Sequence, residues 1–171
     1  GRWGAIPNKG VVAYNQQQQL LFEFGYTNDA MGVPQGVVCS IGECKDGAVV
    51  VYDDGRMVCC DVMHQQHTVW ATTDTPMAKR RRNKSLKAFA DQADNIWLYG
   101  QGTLMMYNKS ADTWDTSIGE QLGLTGIGVD RNINGMAGDK SGNIWIASDQ
   151  LGLLKMDGNT HTTEPVVPRG I

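Results

Sequence analysis

"DNIWLYG" at residues 94–100 and "GNIWIAS" at 142–148 decide how this chain folds. The two stretches share Asn-Ile-Trp, and Trp97 and Trp145 stand 48 residues apart. A step of 48 back from Trp97 reaches Val49 in "DGAVVVYDDG", and a further 46 reaches Trp3 in "GRWGAIPNKG". The acids upstream, Glu43, Asp91 and Asp139, keep the same step of 48. Asn15, Asp61, Asn108 and Asp157 follow the tryptophan-type positions by 11 or 12 residues, each closing a second apolar run. A period of this length marks a structural repeat, so the tryptophans read as architecture before chemistry.

One unit can be written from these landmarks. A short strand ends at an acid ("VVCSIGE", "LKAFAD", "NGMAGD"), and a turn rich in Gly, Asp, Asn and Lys follows. Next come the strand with the tryptophan position, a second turn, and an apolar strand ending in Asn or Asp. A more polar strand completes the unit ("QQLLFEF", "HTVWATT", "DTWDTS", "THTTEPVV"). β-Branched and aromatic runs between turn clusters predict antiparallel hairpins, four strands to a repeat. Even "KSLKAFADQA", the one run with a hint of helical period, falls in strand phase. The fold class is therefore all-β. About four four-stranded β-propeller blades are expected, the first lacking a strand, with boundaries near 1–36, 37–84, 85–132 and 133–171. Trp97 and Trp145 are expected as inter-blade fillers, with Val49 as a smaller one. So few blades form a partial propeller, and its open faces predict further blades of a parent chain or a homo-oligomer.

The totals agree with a binding or structural module. A chain of 171 residues can bury a core, and a formal charge of −3 gives no reason to expect nucleic acid. No run of 18 apolar residues is present, so membrane attachment would come only through a parent chain. The chain opens on Gly-Arg-Trp without an initiator Met, as expected of a piece of something longer. Cys39, Cys44, Cys59 and Cys60 allow two disulfides, a metal site or four core thiols, and their spacing fits no zinc pattern.

"MAGDKSGNIWIASDQLGLLKMDGNT" (136–160) resembles the repeat of the two-component regulator propellers, and "FADQADNIWLYGQGTLMMYN" (89–108) resembles it again. "GRWGAIPNKGVVAYN" is a partial copy and "GECKDGAVVVYDDGRMVCCD" a degenerate one. The resemblance implies the periplasmic sensor region of a hybrid two-component histidine kinase and response regulator, often one responsive to carbohydrate. It implies no catalytic residue, because the repeat residues are structural. "LYG" and "IAS" stand where the family writes "IGT".

Other clusters carry a plainer reading beside a functional one. "CCDVMHQQH" (59–67) brings two Cys and two His together, but neighbours on a strand face opposite ways and cannot share a metal easily. "KRRRNKSLK" (79–87) could hold an anionic sugar or sulfate, or be a solvated loop. Glu43, Asp91 and Asp139 repeat in phase, which assigns them to turns where their carboxylates accept backbone N–H groups. No metal, cofactor or catalytic residue is expected. A propeller gathers ligand contacts at its inner loops, which here hold Asn8, Lys9, Asp53, Asp54, Arg56, Tyr99, Gln101, Asp149 and Gln150. From these and the blade-to-blade loops, Asp54, Arg56, Arg80, Arg131, Tyr99 and Trp70 are the expected ligand-binding set, the aromatics stacking on a sugar of an oligosaccharide. A propeller lyase or lactonase, or a protein-interaction scaffold, is the competing reading.

Overall fold

The computed structural model describes residues 2–26, 32–70, 82–126, 129 and 131–166. Four antiparallel sheets follow one another along the chain, each with its strands in sequential order. The first holds β1 (Arg2–Ile6), β2 (Gly10–Tyr14) and β3 (Leu20–Gly25). The second holds β4 (Val38–Cys44), β5 (Gly47–Tyr52), β6 (Met57–Asp61) and β7 (Gln66–Trp70). The third holds β8 (Lys87–Ala90), β9 (Ile96–Gly100), β10 (Thr103–Asn108) and β11 (Thr113–Asp115). The fourth holds β12 (Ile133–Gly138), β13 (Ile144–Ser148), β14 (Gly152–Met156) and β15 (Thr163–Pro165). These are the expected blade meanders, with three strands in the first. The tryptophan positions fall on β1, β5, β9 and β13, one per sheet.

The chain divides into two compact units, one holding β1–β7 and the other β9–β15, with the division inside β8. Each unit has its own core. In the first, Val11 and Phe24 of one sheet pack with Val50, Tyr52, Val58 and Cys60 of the next. In the second, Trp97, Leu104 and Met106 pack with Ile144, Ile146, Leu154 and Met156. Strands sandwiched in this way must be apolar on both faces, and Val49, Val50 and Val51 are all buried.

The last strand-to-strand turn of each sheet (β2–β3, β6–β7, β10–β11, β14–β15) is built on one plan four times. Asn15 Oδ1 accepts the amides of Gln17 and Gln19, and Asp61 Oδ1 those of Met63 and His64. Asn108 Oδ1 accepts from Ala111 N, and Asp157 Oδ1 from the amides of Asn159 and Thr160. Asn and Asp close the apolar strand because a short carboxyl or amide oxygen can reach amides two to four residues on. Each turn then places one residue in the left-handed region: Gln18, Gln65, Asp112 and His161, with φ between 51° and 60°.

Three expectations need correction. Glu43 is not a turn residue: it lies in β4 opposite Ala48, because the β4–β5 hairpin closes tightly at the Cys44–Gly47 pair. Trp145 is not fully buried as Trp97 is. Trp97 lies under the fourth sheet, whereas Trp145 lies on that sheet's opposite face, in register with Lys155. Lastly, one helical turn, α1 (Ser117–Gln121), follows β11 where only strands were expected. Asp115 Oδ1 accepts from Ser117 N and Oγ, which turns the chain, and Ile118 enters the core. So short a helix has too few internal bonds to stand alone, so its packing on β10 holds it. That packing is close: a Cβ on Gly119 would lie 2.3 Å from the Leu104 carbonyl oxygen.

Candidate ligand-binding site

The first unit carries a cavity of about 340 Å³ at the β1–β2 turn, lined by Ala5, Pro7, Asn8, Tyr26 and Gln35–Val38. Its construction begins at Tyr52, a fully buried phenol at the end of β5. The hydroxyl donates to the Pro34 carbonyl at 2.5 Å, and burial pushes the phenol pKa far up. The Arg56 guanidinium lies over the Tyr52 ring, 4.5 Å from its centroid. Its Nε donates to Asp54 Oδ2 and its Nη2 to the Gln35 carbonyl, both at 2.9 Å. The 34–36 segment is thus tied to the β5–β6 turn from two sides. Gly36 is required there, since a Cβ would lie 2.4 Å from Arg56 Nη2 and 2.6 Å from Tyr52 Cδ1.

Asp53 sits beside this clamp with almost no exposed surface. A buried carboxylate needs a partner, and Arg82 Nη1 supplies one at 3.0 Å. Asp53 also donates its amide to Val37 O and accepts from Asn83 N. The cavity wall is therefore fixed by two ion pairs and a cation–π contact. Its lining offers the polar groups of Asn8, Tyr26 and Gln35 beside the apolar Pro7, Val37 and Val38. That mixture suits a small hydroxylated molecule: polar groups for its hydroxyls and apolar side chains for its C–H faces.

The second unit has a polar network at the corresponding turn, β13–β14. Asn132 donates its amide to Gln150 Oε1 and its side chain to Asn134, which donates to Asp149. Arg131 donates to the Leu122 carbonyl at 3.3 Å, and its own carbonyl accepts from Gly102 N.

Of the expected binding residues, Asp54 and Arg56 pair with each other, and Arg56 holds the carbonyl of Gln35, which lines the cavity; neither Asp54 nor Arg56 lines it. Arg131 belongs to the second unit. Arg80 lies outside the described residues, as do Lys79 and Arg81 of the basic run; Arg82 is engaged with Asp53. Tyr99 and Trp70 are each only 7% exposed, so neither opens a ring face for sugar stacking. Tyr99 is part of the second core, and burial raises its phenol pKa. The reason was readable: Tyr99 is two residues beyond Trp97 on one strand and shares its face. Tyr26, Gln35 and Gly36 were missed because the segment joining two sheets carries no repeat signal.

The cysteines are free thiols. Cys60 enters the first core, while Cys59 pairs in register with Val49 and Thr68. Burial pushes the Cys60 thiol up to about 12 and Cys39 up to about 11, so both stay protonated and unreactive at neutral pH. Among the described residues no group of His, Cys, Asp and Glu could hold a metal. His64 is engaged instead with Asp61, Nδ1 to Oδ2 at 2.8 Å.

No protein-family model matches the chain, and no curated protein matches it. Solved structures do. The extracellular domain assigned to the hybrid two-component system BT3049 of B. thetaiotaomicron matches 99% of this chain at TM-score 0.61 and 13% identity. The extracellular domain of BT4673 from the same organism, also described as a hybrid two-component system, matches 96% at TM-score 0.59 and 15% identity. The chain spans 20% and 22% of those two structures, about a fifth of their length. The fold is that of the extracellular domains of these two systems, as the repeat resemblance implied. No helix among the described residues is long and apolar enough to cross a membrane.

Proposed function

We propose that this chain is a ligand-sensing segment of a hybrid two-component sensor, placed in the periplasm and signalling to a histidine kinase elsewhere in its parent chain. The observation that carries this reading is the fold match, which runs over nearly the whole chain, to extracellular domains described as belonging to such systems. The ligand is an oligosaccharide, taken up at the clamped cavity beside Arg56 and Asp54. The segment works by binding rather than by turnover. Its half-covered Trp145 face is closed by a further blade of the parent chain or by a second copy.

Calorimetric titration of the protein with a panel of neutral and acidic oligosaccharides tests the reading. Saturable binding to one class, reduced at least tenfold by Arg56→Ala, supports it. Absence of binding across the panel, or conversion of an added sugar to product, overturns it.

A further inference from the structure

The fourth sheet repeats, on its outer face, the surface by which the third sheet packs on it. The third sheet offers Trp97 paired with Met106, and Tyr99 paired with Leu104. All four are buried in one cluster with Ile144, Ile146, Leu154 and Met156 of the fourth. The same strand positions of the fourth sheet hold Trp145 paired with Lys155, and Ala147 paired with Leu153. None of these is buried, and Leu153 is 42% exposed. Gly135 pairs with Ala147 on the same face, and a Cβ on it would meet no described atom within 4 Å. A glycine under a neighbouring sheet is tight by contrast. A Cβ on Gly42, in the row of Val49, would lie 2.8 Å from the Ala88 carbonyl oxygen.

The first sheet carries the complementary surface. Trp3 and Phe22 pack toward the second sheet. The other face has Gly4 paired with Val12, and Tyr14 paired with both Arg2 and Leu20. Aligned on the tryptophan position, β1 and β2 match β13 and β14. Gly4, Val12 and Tyr14 then hold the places of Ile146, Leu154 and Met156, the surface that receives a tryptophan row. Leu20 is 51% exposed, and a Cβ on Gly4 would also meet no described atom within 4 Å. Among their paired strand residues each face carries one cation and one acid, Lys155 with Glu164 and Arg2 with Glu23. Net charge therefore sets neither face against the other.

We propose that these two faces meet between copies: the Trp145 face of one chain docks on the Gly4 face of a second, head to tail. This names which partner covers the Trp145 face of the proposed sensor segment, and it rests on the sheet repeat rather than on the ligand. Docking removes Trp145 and Leu153 from water, as the fourth sheet removes Trp97 and Leu104. The contact is heterologous, so a docked pair keeps one free face of each kind, and association either closes or extends.

The test is the mass of the chain in sedimentation velocity from about 1 to about 100 μM, the range expected of a small interface. A mass that rises above one chain with concentration is expected. Gly135→Asp and Gly4→Asp each add a carboxylate where the folded chain has open space, and each puts an unpaired charge between docked faces. Each alone is expected to weaken association at least tenfold. Mixed in equal amounts, the two variants are expected to form one-to-one pairs, because each keeps the face the other has lost. Where a variant does not fold, Leu153→Lys or Leu20→Lys, at exposed positions, replaces it with the same expectation. A wild-type chain that stays a monomer throughout, a Gly4→Asp variant that associates as wild type does, or a mixture that stays monomeric overturns the docking. A monomer that still binds oligosaccharide sinks this contact and leaves the sensor reading standing.

Discussion

The hairpins at 91–97 and 139–145 have nearly the same chemistry and different surroundings. In the first, Asp91 accepts from Asn95 N at 2.9 Å, Asn95 Nδ2 at 3.2 Å and Trp97 Nε1 at 3.0 Å. In the second, Asp139 accepts from Asn143 N at 2.9 Å, Asn143 Nδ2 at 3.1 Å and Trp145 Nε1 at 3.0 Å. One carboxylate thus folds the turn and fixes the tryptophan rotamer. Yet Trp97 lies under a neighbouring sheet, while Trp145 is half-buried with the Lys155 ammonium 5.7 Å from its ring centre. The clasp is local and is specified by three residues. Burial of the ring depends on the next sheet.

The largest test of that separation is truncation of the rings. Trp97→Ala is expected to cost about 3–5 kcal/mol in denaturant unfolding, as for a buried Trp. Trp145→Ala is expected to cost less, since part of its surface is already in water. Equal losses would show that the two rings are equally covered in solution.

Removing the carboxylate comes next. Asp91→Ala leaves the indole N–H of Trp97 beneath the fourth sheet without its acceptor, at a cost of about 1–3 kcal/mol. Asp139→Ala frees an N–H on a half-buried ring that water can reach, and the expected loss is smaller. The same unfolding curves measure both, and a larger loss at Asp139 would reverse the order.

The smallest effect is a proton. The Trp145 N–H, with the amides of Asn143 and Ser141, holds the Asp139 carboxyl down at about 2, against 3.8 for an ordinary Asp. A folded-state pKa below the unfolded one gives stability that is present above about 3.8 and is lost as pH falls toward 2. Carbon NMR should find Asp139 ionised at pH 3. In Trp145→Phe, which keeps a ring but no N–H, its midpoint should rise toward the ordinary value.

The repeat made the sheets legible, because a period of 46–49 residues and a strand alternation of two are both properties of letters. It also made the acid–tryptophan clasp legible in principle: Asp91 and Asp139 each stand six residues before their Trp, and the copy with Val49 has Glu43 and no indole to hold. The step of 48 misassigned Glu43 because it counts residues and not strand pairs; the tight β4–β5 turn moved that acid into the ladder. Site residues were harder. Knowing which end of a sheet a residue occupies says nothing about whether its ring faces the neighbouring sheet, and Tyr99 does. The clamp of Tyr52, Arg56 and Gly36 joins segments with no common motif, so only their approach in space reveals it.

Gln18, Gln65, Asp112 and His161 have no letter in common that would align them, yet all four share one backbone conformation. The four meanders therefore repeat a dihedral angle at a place where they share no one side chain. Glycine is the side chain that conformation favours most, so Gln18 and Gln65 are positions where Gly should be accepted without loss. Counting left-handed residues after each Asn or Asp closer offers a way to number the meanders in a chain whose tryptophans have worn away.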